Sequence, residues 1–270
     1  MVSLIADGLT VEYPIYDADK RSLRRAMLGR GRTGGRILGG SRENGHGFVV
    51  RAVHDVSFAF ETGDRVALIG HNGAGKTTLL RALAGVYEPT AGRVLADGRL
   101  SPVFDVNPGL DLDDTGYENV VVNGLMLGLS PAEIRAKMPE IIEFTELGEY
   151  MHLPVRTLSA GMHVRLAFAI STAVDPEIIL LDEGIASFDA RFGAKAEKRL
   201  ESFVGRSSIL VLASHSEQLL RRLCNKGVLM AEGRVVAIGA LDQILALYRA
   251  GVDGVSDSAG EQAQDGSNRG

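Results

Sequence analysis

Alternation of apolar and polar residues marks two strands in the first part of the chain. Residues 8–13, GLTVEY, and residues 53–60, VHDVSFAF, both alternate as half-buried strands do. Turn residues at 61–64 precede a short apolar run at 65–70, RVALIG, which predicts a fully buried strand. This run leads through a glycine-rich turn into a predicted helix over 75–85. The order strand, loop, helix predicts one α/β unit.

The middle of the chain has the helical period. Ser130 is followed by proline and, three residues on, by Glu133, which is the pattern of a capping box at the start of a helix. Apolar residues continue at helical spacing over 134–150, and Pro139 predicts a break or kink there. A second helix is predicted over 160–174.

Two apolar strands and a hairpin follow. Residues 177–182 and 207–214 are apolar at successive positions, as the central strands of a parallel sheet are. Residues 227–239 predict a hairpin that turns at Glu232, and residues 241–250 predict a last short helix. These elements together predict the α/β fold class.

The composition is that of an ordinary globular protein. The chain has 270 residues, of which 45% are hydrophobic and 23% are charged, and its net charge of −5 argues against nucleic acid as a partner. The single cysteine, Cys224, excludes an intramolecular disulfide framework. We expect no signal peptide, because the first ten residues carry an acid at Asp7 and no basic leader. We also expect no membrane span, because no apolar run approaches about 20 residues. If the protein acts at a membrane, another chain must supply the spanning part.

Residues 17–47 differ from the rest of the chain. They contain eight glycines and eight lysines or arginines against three acids. We expect a short basic helix at 20–28 and a loop over 29–47. A solvated insertion and a contact with anionic lipid headgroups or a membrane partner are both open interpretations. The glycine-rich tail at 251–270 is predicted to be disordered.

The strongest chemical signal is a G-x-x-x-x-G-K-T motif between the predicted strand at 65–70 and its helix. Its glycines let backbone N–H groups point at phosphate oxygens, and the helix N-terminus adds partial positive charge. Lys76 can reach the β- and γ-phosphates, and the Thr77 hydroxyl can ligate Mg²⁺. The predicted ATP-binding residues here are Gly70, His71, Asn72, Gly73, Ala74, Gly75, Lys76, Thr77 and Thr78.

The apolar strand at 177–182 ends in a carboxylate, Asp182, and a second carboxylate, Glu183, follows it directly. Asp182 would hold Mg²⁺ through its water shell, and Glu183 would orient and polarise the attacking water. An acidic strand end taken alone is more often structural. Combined with the phosphate loop, it predicts a nucleotidase or kinase of the phosphate-loop type, and these two motifs leave open which one.

The stretch 158–162, LSAGM, with HVRLAFAI after it, resembles the signature motif of ABC-transporter ATPase subunits. Further marks follow in the family's order: Tyr13 at the adenine-stacking aromatic, Asp189 at the D-loop aspartate and His215 at the switch histidine. The resemblance spans about residues 4–250. It implies an ABC-type P-loop NTPase with a mixed central sheet, an antiparallel β subdomain and a helical subdomain.

The resemblance also implies the domain limits and the reaction. The ATPase domain would occupy 1–250, with its helical subdomain at about 105–175. Two copies would face each other head to tail around two ATP molecules. Lys76, Glu183 and His215 would act in catalysis with ATP and Mg²⁺. The second copy would contribute Ser159, Ala160, Gly161 and Asp189 in trans.

Three features depart from the family pattern. Asp105 stands near the place of the family's Q-loop glutamine, where an acid could still ligate Mg²⁺ or its water. The signature has Ala160 and Met162 where glycine and glutamine are usual. Tyr16 is an alternative to Tyr13 as the adenine-stacking residue.

Several strings resemble the polysaccharide-exporter group of these ATPases, which moves O-antigen, teichoic acid or cell-wall galactan precursors. They lie at 20–25, 84–94, 115–124, 158–172 and 181–192. The resemblance implies a place on the cytoplasmic face of the cell membrane, a permease partner in two copies and a lipid-linked glycan as cargo. An importer or efflux ATPase with another cargo, and a nucleic-acid or ribosome-associated ATPase, are the alternatives.

Overall fold

A computed structural model describes residues 1–15, 36–38, 48–104, 109–182 and 190–251. Six strands form a central sheet in the order β10-β9-β4-β8-β7-β6. All neighbours are parallel except β9 and β10, which form an antiparallel hairpin, so the predicted mixed sheet is confirmed. The strands are β4 (Arg65–Ile69), β6 (Leu100–Val103), β7 (Ile178–Leu181), β8 (Ile209–Ala213), β9 (Lys226–Ala231) and β10 (Arg234–Ala240).

The antiparallel part is a second sheet of four strands in the order β2-β3-β1-β5. Its strands are β1 (Ser3–Ile15), β2 (Arg36–Leu38), β3 (Phe48–Glu61) and β5 (Ala91–Asp97). β1 pairs along its length with β3, and on its other side with β5. Both strands predicted by alternation, at 8–13 and 53–60, lie inside β1 and β3.

The prediction of a loop over 29–47 is wrong for β2, which pairs with residues 49–51 of β3. Backbone N–H and C=O groups along the open side of β3 are the physical reason, since an edge strand accepts a partner through its main chain alone. A segment too polar to form its own core can therefore still be a strand. The predicted basic helix and the predicted disordered tail lie outside the described residues.

The hydrophobic core lies on both faces of the central sheet. Successive residues of β4 point to opposite faces: Val66 and Leu68 join a cluster with the antiparallel sheet, whereas Ala67 and Ile69 join a cluster with the helices. Burial on both faces explains why these strands are apolar at every position.

Seven α-helices occur among the described residues. They are α1 (Lys76–Leu83), α2 (Gly116–Met126), α3 (Pro131–Thr145), α4 (Ala160–Ser171), α5 (Ala190–Arg206), α6 (Glu217–Leu223) and α7 (Leu241–Arg249). The sequence patterns predict α1, α3, α4 and α7, whereas α2, α5, α6 and the strands β5 and β6 were not predicted.

The helix α3 has the predicted cap, continues through Pro139 and ends earlier than predicted. Ser130 caps it in a capping box with Glu133, as predicted. Pro139 does not break it, because the carbonyl that loses its partner belongs to Arg135 and both residues are exposed to water. The helix ends where Glu146 takes a left-handed conformation at φ 58°, and a 3-10 turn replaces the helix predicted beyond it. The predicted domain limits, including 105–175, stay predictions.

Candidate functional site

The phosphate-loop motif, Asp182 and His215 follow three parallel strands of the central sheet. The loop follows β4, His215 lies two residues beyond β8, and Asp182 directly follows β7. β8 pairs with β4 on one side and with β7 on the other. The three segments therefore meet at the carboxyl edge of the sheet, where α/β proteins bind their ligands.

The glycines of the loop are required by the backbone. Gly73 and Gly75 have φ of 81° and 100°, in the region that side chains disfavour. A Cβ on Gly75 would lie 2.5 Å from the carbonyl oxygen of Ala52 in β3, and one on Gly70 would lie 2.3 Å from the carbonyl oxygen of Met230 in β9. The loop is therefore wedged between the antiparallel sheet and the β9–β10 hairpin.

The turn of that hairpin fixes the loop by hydrogen bonds. The N–H of Gly233 donates to the carbonyl of Ala74 at 3.0 Å, and the carbonyl of Gly233 accepts from the N–H of His54 at 2.8 Å. Glu232 and Gly233 both have positive φ, as the predicted turn requires. One tight turn thus connects the phosphate loop to β3.

Lys76 begins α1 with its ammonium turned back into the loop. Its Nζ donates to the carbonyl of Gly70 at 2.6 Å and to that of His71 at 3.1 Å, and only 8% of the residue is exposed. The N-cap of α1 is Gly75, which offers no side-chain oxygen to the first N–H groups. A helix N-terminus without a side-chain cap, beside a buried ammonium, is suited to bind phosphate.

Oxygen donors for a cation lie beside this cradle. Thr77 is exposed in the first turn of α1, and Asp182 is half-buried, with its N–H donating to the carbonyl of Val103 at 3.2 Å. A hydroxyl and one carboxylate suit Mg²⁺, which usually takes few protein ligands and keeps its other positions for water and phosphate. The described residues contain no cluster of three or more metal-binding side chains. The third candidate, Asp105, lies outside them.

Tyr13 lies in β1 close to α1. Its ring meets that of Tyr87 edge to face, with centroids 5.4 Å apart. Burial raises the pKa of the Tyr13 phenol, while a hydrogen bond with the side chain of Thr78 lowers it in part. The structure thus places Tyr13 next to the last residue of the predicted ATP-binding loop. Tyr16 is outside the described residues.

Sequence reasoning missed the support behind Tyr13. Arg81 of α1 donates to the hydroxyl of Tyr87 at 2.8 Å. That hydrogen bond raises the pKa of the Arg81 guanidinium, and the charge of Asp182 adds to the effect. Tyr87 lies in residues 84–94, which resemble polysaccharide exporters, and this resemblance was the sequence feature that could have pointed to it.

The signature residues lie on the helical side of the molecule. Ser159 is the N-cap of α4, and its Oγ accepts from the N–H of Met162 at 3.3 Å. Ser159, Ala160 and Gly161 are all exposed. A Cβ on Gly161 would meet nothing within 4 Å. The N-terminus of α4 therefore faces open space.

The remaining predicted site residues divide into two groups. His215 is exposed in the turn between β8 and α6. Glu183 and Asp189 lie outside the described residues, so their roles stay predictions. Cys224 has its pKa raised to about 12 by burial, which fits an unreactive thiol.

A second contact that the sequence did not predict involves His71. The ring of Tyr248 in α7 lies 5.1 Å from the His71 ring, and its Oη is 3.4 Å from His71 Nδ1. These residues are 177 positions apart, and no local pattern relates them.

Known proteins share both the sequence and the fold. A family model of ABC transporters matches residues 53–186. A solved ATP-binding subunit of an ABC transporter has a TM-score of 0.65 at 24% identity, covering 94% of this chain and 95% of that one. A cassette solved as a dimer in a post-hydrolysis state, bound to ADP and Pi, has a TM-score of 0.63 at 20% identity and covers 88% and 98%. These structures show the ABC-type fold.

Two relatives carry the finer comparison. The O-antigen export system ATP-binding protein RfbE of Yersinia enterocolitica is 48% identical over 226 residues, 84% of this chain and 93% of that protein. The teichoic acids export ATP-binding protein TagH of Staphylococcus haemolyticus is 32% identical over 92% of this chain and 88% of that protein. This chain therefore belongs to the ABC-transporter family, among the ATP-binding subunits of polysaccharide export systems.

Proposed function

We propose that this chain hydrolyses ATP to drive the export of a lipid-linked cell-surface polysaccharide through a membrane permease. The observation that carries the proposal is the meeting of the phosphate loop, Asp182 and His215 at one edge of the sheet, in a chain 48% identical to an O-antigen export subunit. A lipid-linked glycan of the O-antigen or galactan-precursor type is the proposed cargo.

ATP binding begins at the phosphate loop. Backbone N–H groups at the start of α1 donate to the β- and γ-phosphates, and Tyr13 stacks on the adenine. Lys76 Nζ, now bonded to the carbonyls of Gly70 and His71, lies within the loop that would surround the phosphates. A small rotation of the Lys76 side chain would let Nζ donate to a phosphate oxygen in place of a backbone carbonyl.

Mg²⁺ would be held by Thr77 and Asp182, with Asp105 as a third candidate. When bound, the ion neutralises charge on the β- and γ-phosphate oxygens. Glu183 takes a proton from the attacking water, and His215 donates a hydrogen bond to the γ-phosphate. Asp182 keeps its place because its main chain is bonded to β6.

A second copy of the chain completes the site. Its Ser159, Ala160 and Gly161 contact the γ-phosphate from the N-terminus of α4, and its Asp189 contacts the facing copy. The exposure of Ser159, Ala160 and Gly161 supports this role, as does the finding that a Cβ on Gly161 would meet no atom of the described residues within 4 Å. ATP would hold the two copies together, and hydrolysis would let them separate.

The permease would dock on the helical side. Val121, Val122, Leu125 and Met126 form an exposed apolar face along α2, and Met126 is 79% exposed. Apolar surface of this kind marks contact with another protein. None of the described helices is long and apolar enough to span a membrane. We place the chain on the cytoplasmic face of the cell membrane, held there by two permease copies.

Hydrolysis and transport are tested together. The purified wild-type chain should hydrolyse MgATP, whereas Lys76→Ala should neither bind it at micromolar concentration nor hydrolyse it. Glu149→Gln is the matched control, since that carboxylate lies in an exposed 3-10 turn. Cells that carry only Lys76→Ala should accumulate a glycolipid on the inner side of the membrane. Unchanged ATP affinity in Lys76→Ala, or a normal surface polysaccharide, would contradict the proposal.

A further inference from the structure

The last turn of α7 lies against the phosphate loop. Tyr248 faces the His71 ring at a tilt of 50°, with 5.1 Å between centroids. The rest of the Tyr248 side chain packs on the core cluster beneath the helices. Tyr248 is therefore half-buried against the core while its ring also contacts the loop at His71.

His71 is hydrogen-bonded through its main chain to the Lys76 ammonium. Its carbonyl accepts from Lys76 Nζ and from the N–H of Ala74, each at 3.1 Å. A displacement of His71 would therefore move both the ammonium and the backbone that curls around the phosphates.

The residue after Tyr248 reaches the segment of the switch histidine. Arg249 pairs with Glu217, the first residue of α6, which lies two positions beyond His215. Arg221 of α6 also pairs with Glu217, at 2.9 Å, and with Asp242 in the first turn of α7. Each exposed pair adds little stability, but together they fix the direction in which α6 and α7 lie.

We propose that Tyr248 is a positioning residue for ATP binding: through His71 it holds Lys76 in place, and with Arg249 it ties the phosphate loop to the segment that carries His215. This inference rests on the proposed ATPase function. Because His71 and the loop bind ground-state ATP as well as the transition state, loss of Tyr248 should act mainly on affinity and less on turnover.

The test compares Tyr248→Leu with Tyr248→Phe in the full chain. We expect Tyr248→Leu to raise the dissociation constant and KM for MgATP about 3- to 10-fold, with kcat changed less than about 3-fold. Tyr248→Phe keeps the ring contact and should restore the affinity to within about twofold. Tyr248→Met, which keeps more apolar bulk, serves if Tyr248→Leu does not fold. The control is Tyr150→Leu, at a tyrosine that is 53% exposed in the 3-10 turn.

A double-substitution cycle distinguishes an effect of Tyr248 that acts through His71 from a general destabilisation of the fold. His71→Ala should weaken ATP binding to a similar degree, and adding Tyr248→Leu to it should weaken binding no further. If the fold-changes in the dissociation constant multiply in the double variant, or if Tyr248→Leu has unchanged affinity, the inference is overturned. Lys76→Ala separates the two proposals: if it abolishes binding while Tyr248→Leu binds normally, only the role of Tyr248 fails, and if it binds normally, the proposed function fails.

Discussion

The phosphate loop and the signature end of α4 are both glycine-containing helix N-termini, but they are built in opposite ways. The loop packs against β3, β9 and the hairpin turn at Gly233, while its residues 71–73 are exposed. At the signature end, Ser159 Oγ accepts from the N–H of Met162 in its own first turn, and Ser159, Ala160 and Gly161 are exposed. The first is held in place by other segments of the chain, whereas the second is exposed. This difference is what a site shared between two copies requires.

The largest effect is expected from Glu183→Gln, which should keep ATP bound between the phosphate loop of one copy and the signature end of another. Without the carboxylate base, hydrolysis should fall by at least about 100-fold while MgATP still binds. ATP would then remain between the loop of one copy and the signature of the other, so the protein should elute as a dimer with ATP and as a monomer without it. Size-exclusion chromatography with light scattering measures this. A monomer that binds ATP would contradict the shared site.

Two glycine substitutions test the contrast directly. Gly75→Ala places a Cβ against the Ala52 carbonyl at a φ of 100°, and should cost about 1–3 kcal/mol from backbone strain alone and abolish ATP binding. Gly161→Ala meets open space in a helix and should leave the free energy of unfolding unchanged or raised by about 0.5–1 kcal/mol. We expect it to retain ATP affinity yet slow hydrolysis. Chemical denaturation and ATP titration distinguish the two. Equal loss of stability in both variants would remove the contrast.

Local pattern predicted the parts of the site that one segment supplies. The apolar strand at 65–70, the loop after it, the cap at Ser130 and the helix that begins at Ala160 depend on neighbours in sequence, and the structure has all of them. The support of Tyr13 by Tyr87, the contact of Tyr248 with His71 and the strand β2 depend on segments that only the folded chain brings together. Neither the hydrophobic periodicity of a segment nor the propensities of its residues indicate which distant segment it will contact.

A cap substitution gives the next smaller effect. Ser159→Ala and Ser130→Ala each remove a side-chain oxygen that accepts from the first turn of a helix, and each should cost about 0.5–2 kcal/mol. Only Ser159→Ala should also slow ATP hydrolysis, since Ser159 is the cap that we propose contacts ATP bound to the second copy. Thermal unfolding and steady-state ATPase rates are the measurements. Equal ATPase rates in the two variants would leave Ser159 as a cap and nothing more.

The smallest effect concerns an ion pair between the helical side and the sheet. Asp175 lies three residues before the start of β7. Its carboxylate accepts a hydrogen bond from Lys137 of α3 and pairs with Arg206 of α5 at 2.8 Å. The hydrogen bond from Lys137 lowers the pKa of the Asp175 carboxyl. The unfolded chain therefore takes up this proton first as the pH falls, so the stabilisation is present above about pH 4 and is lost as the pH drops through the folded pKa.

Asp175→Asn should accordingly unfold more easily than wild type at pH 7, by a small margin because the side chain is 55% exposed, and the difference should shrink as the pH falls below about 4. Urea unfolding at pH 7, 4 and 2 measures it. Glu149→Gln, at an exposed carboxylate in the 3-10 turn, is the control and should show no such pH dependence. If Asp175→Asn and wild type differ equally at every pH, the charge of Asp175 does not stabilise the junction between the helices and the sheet.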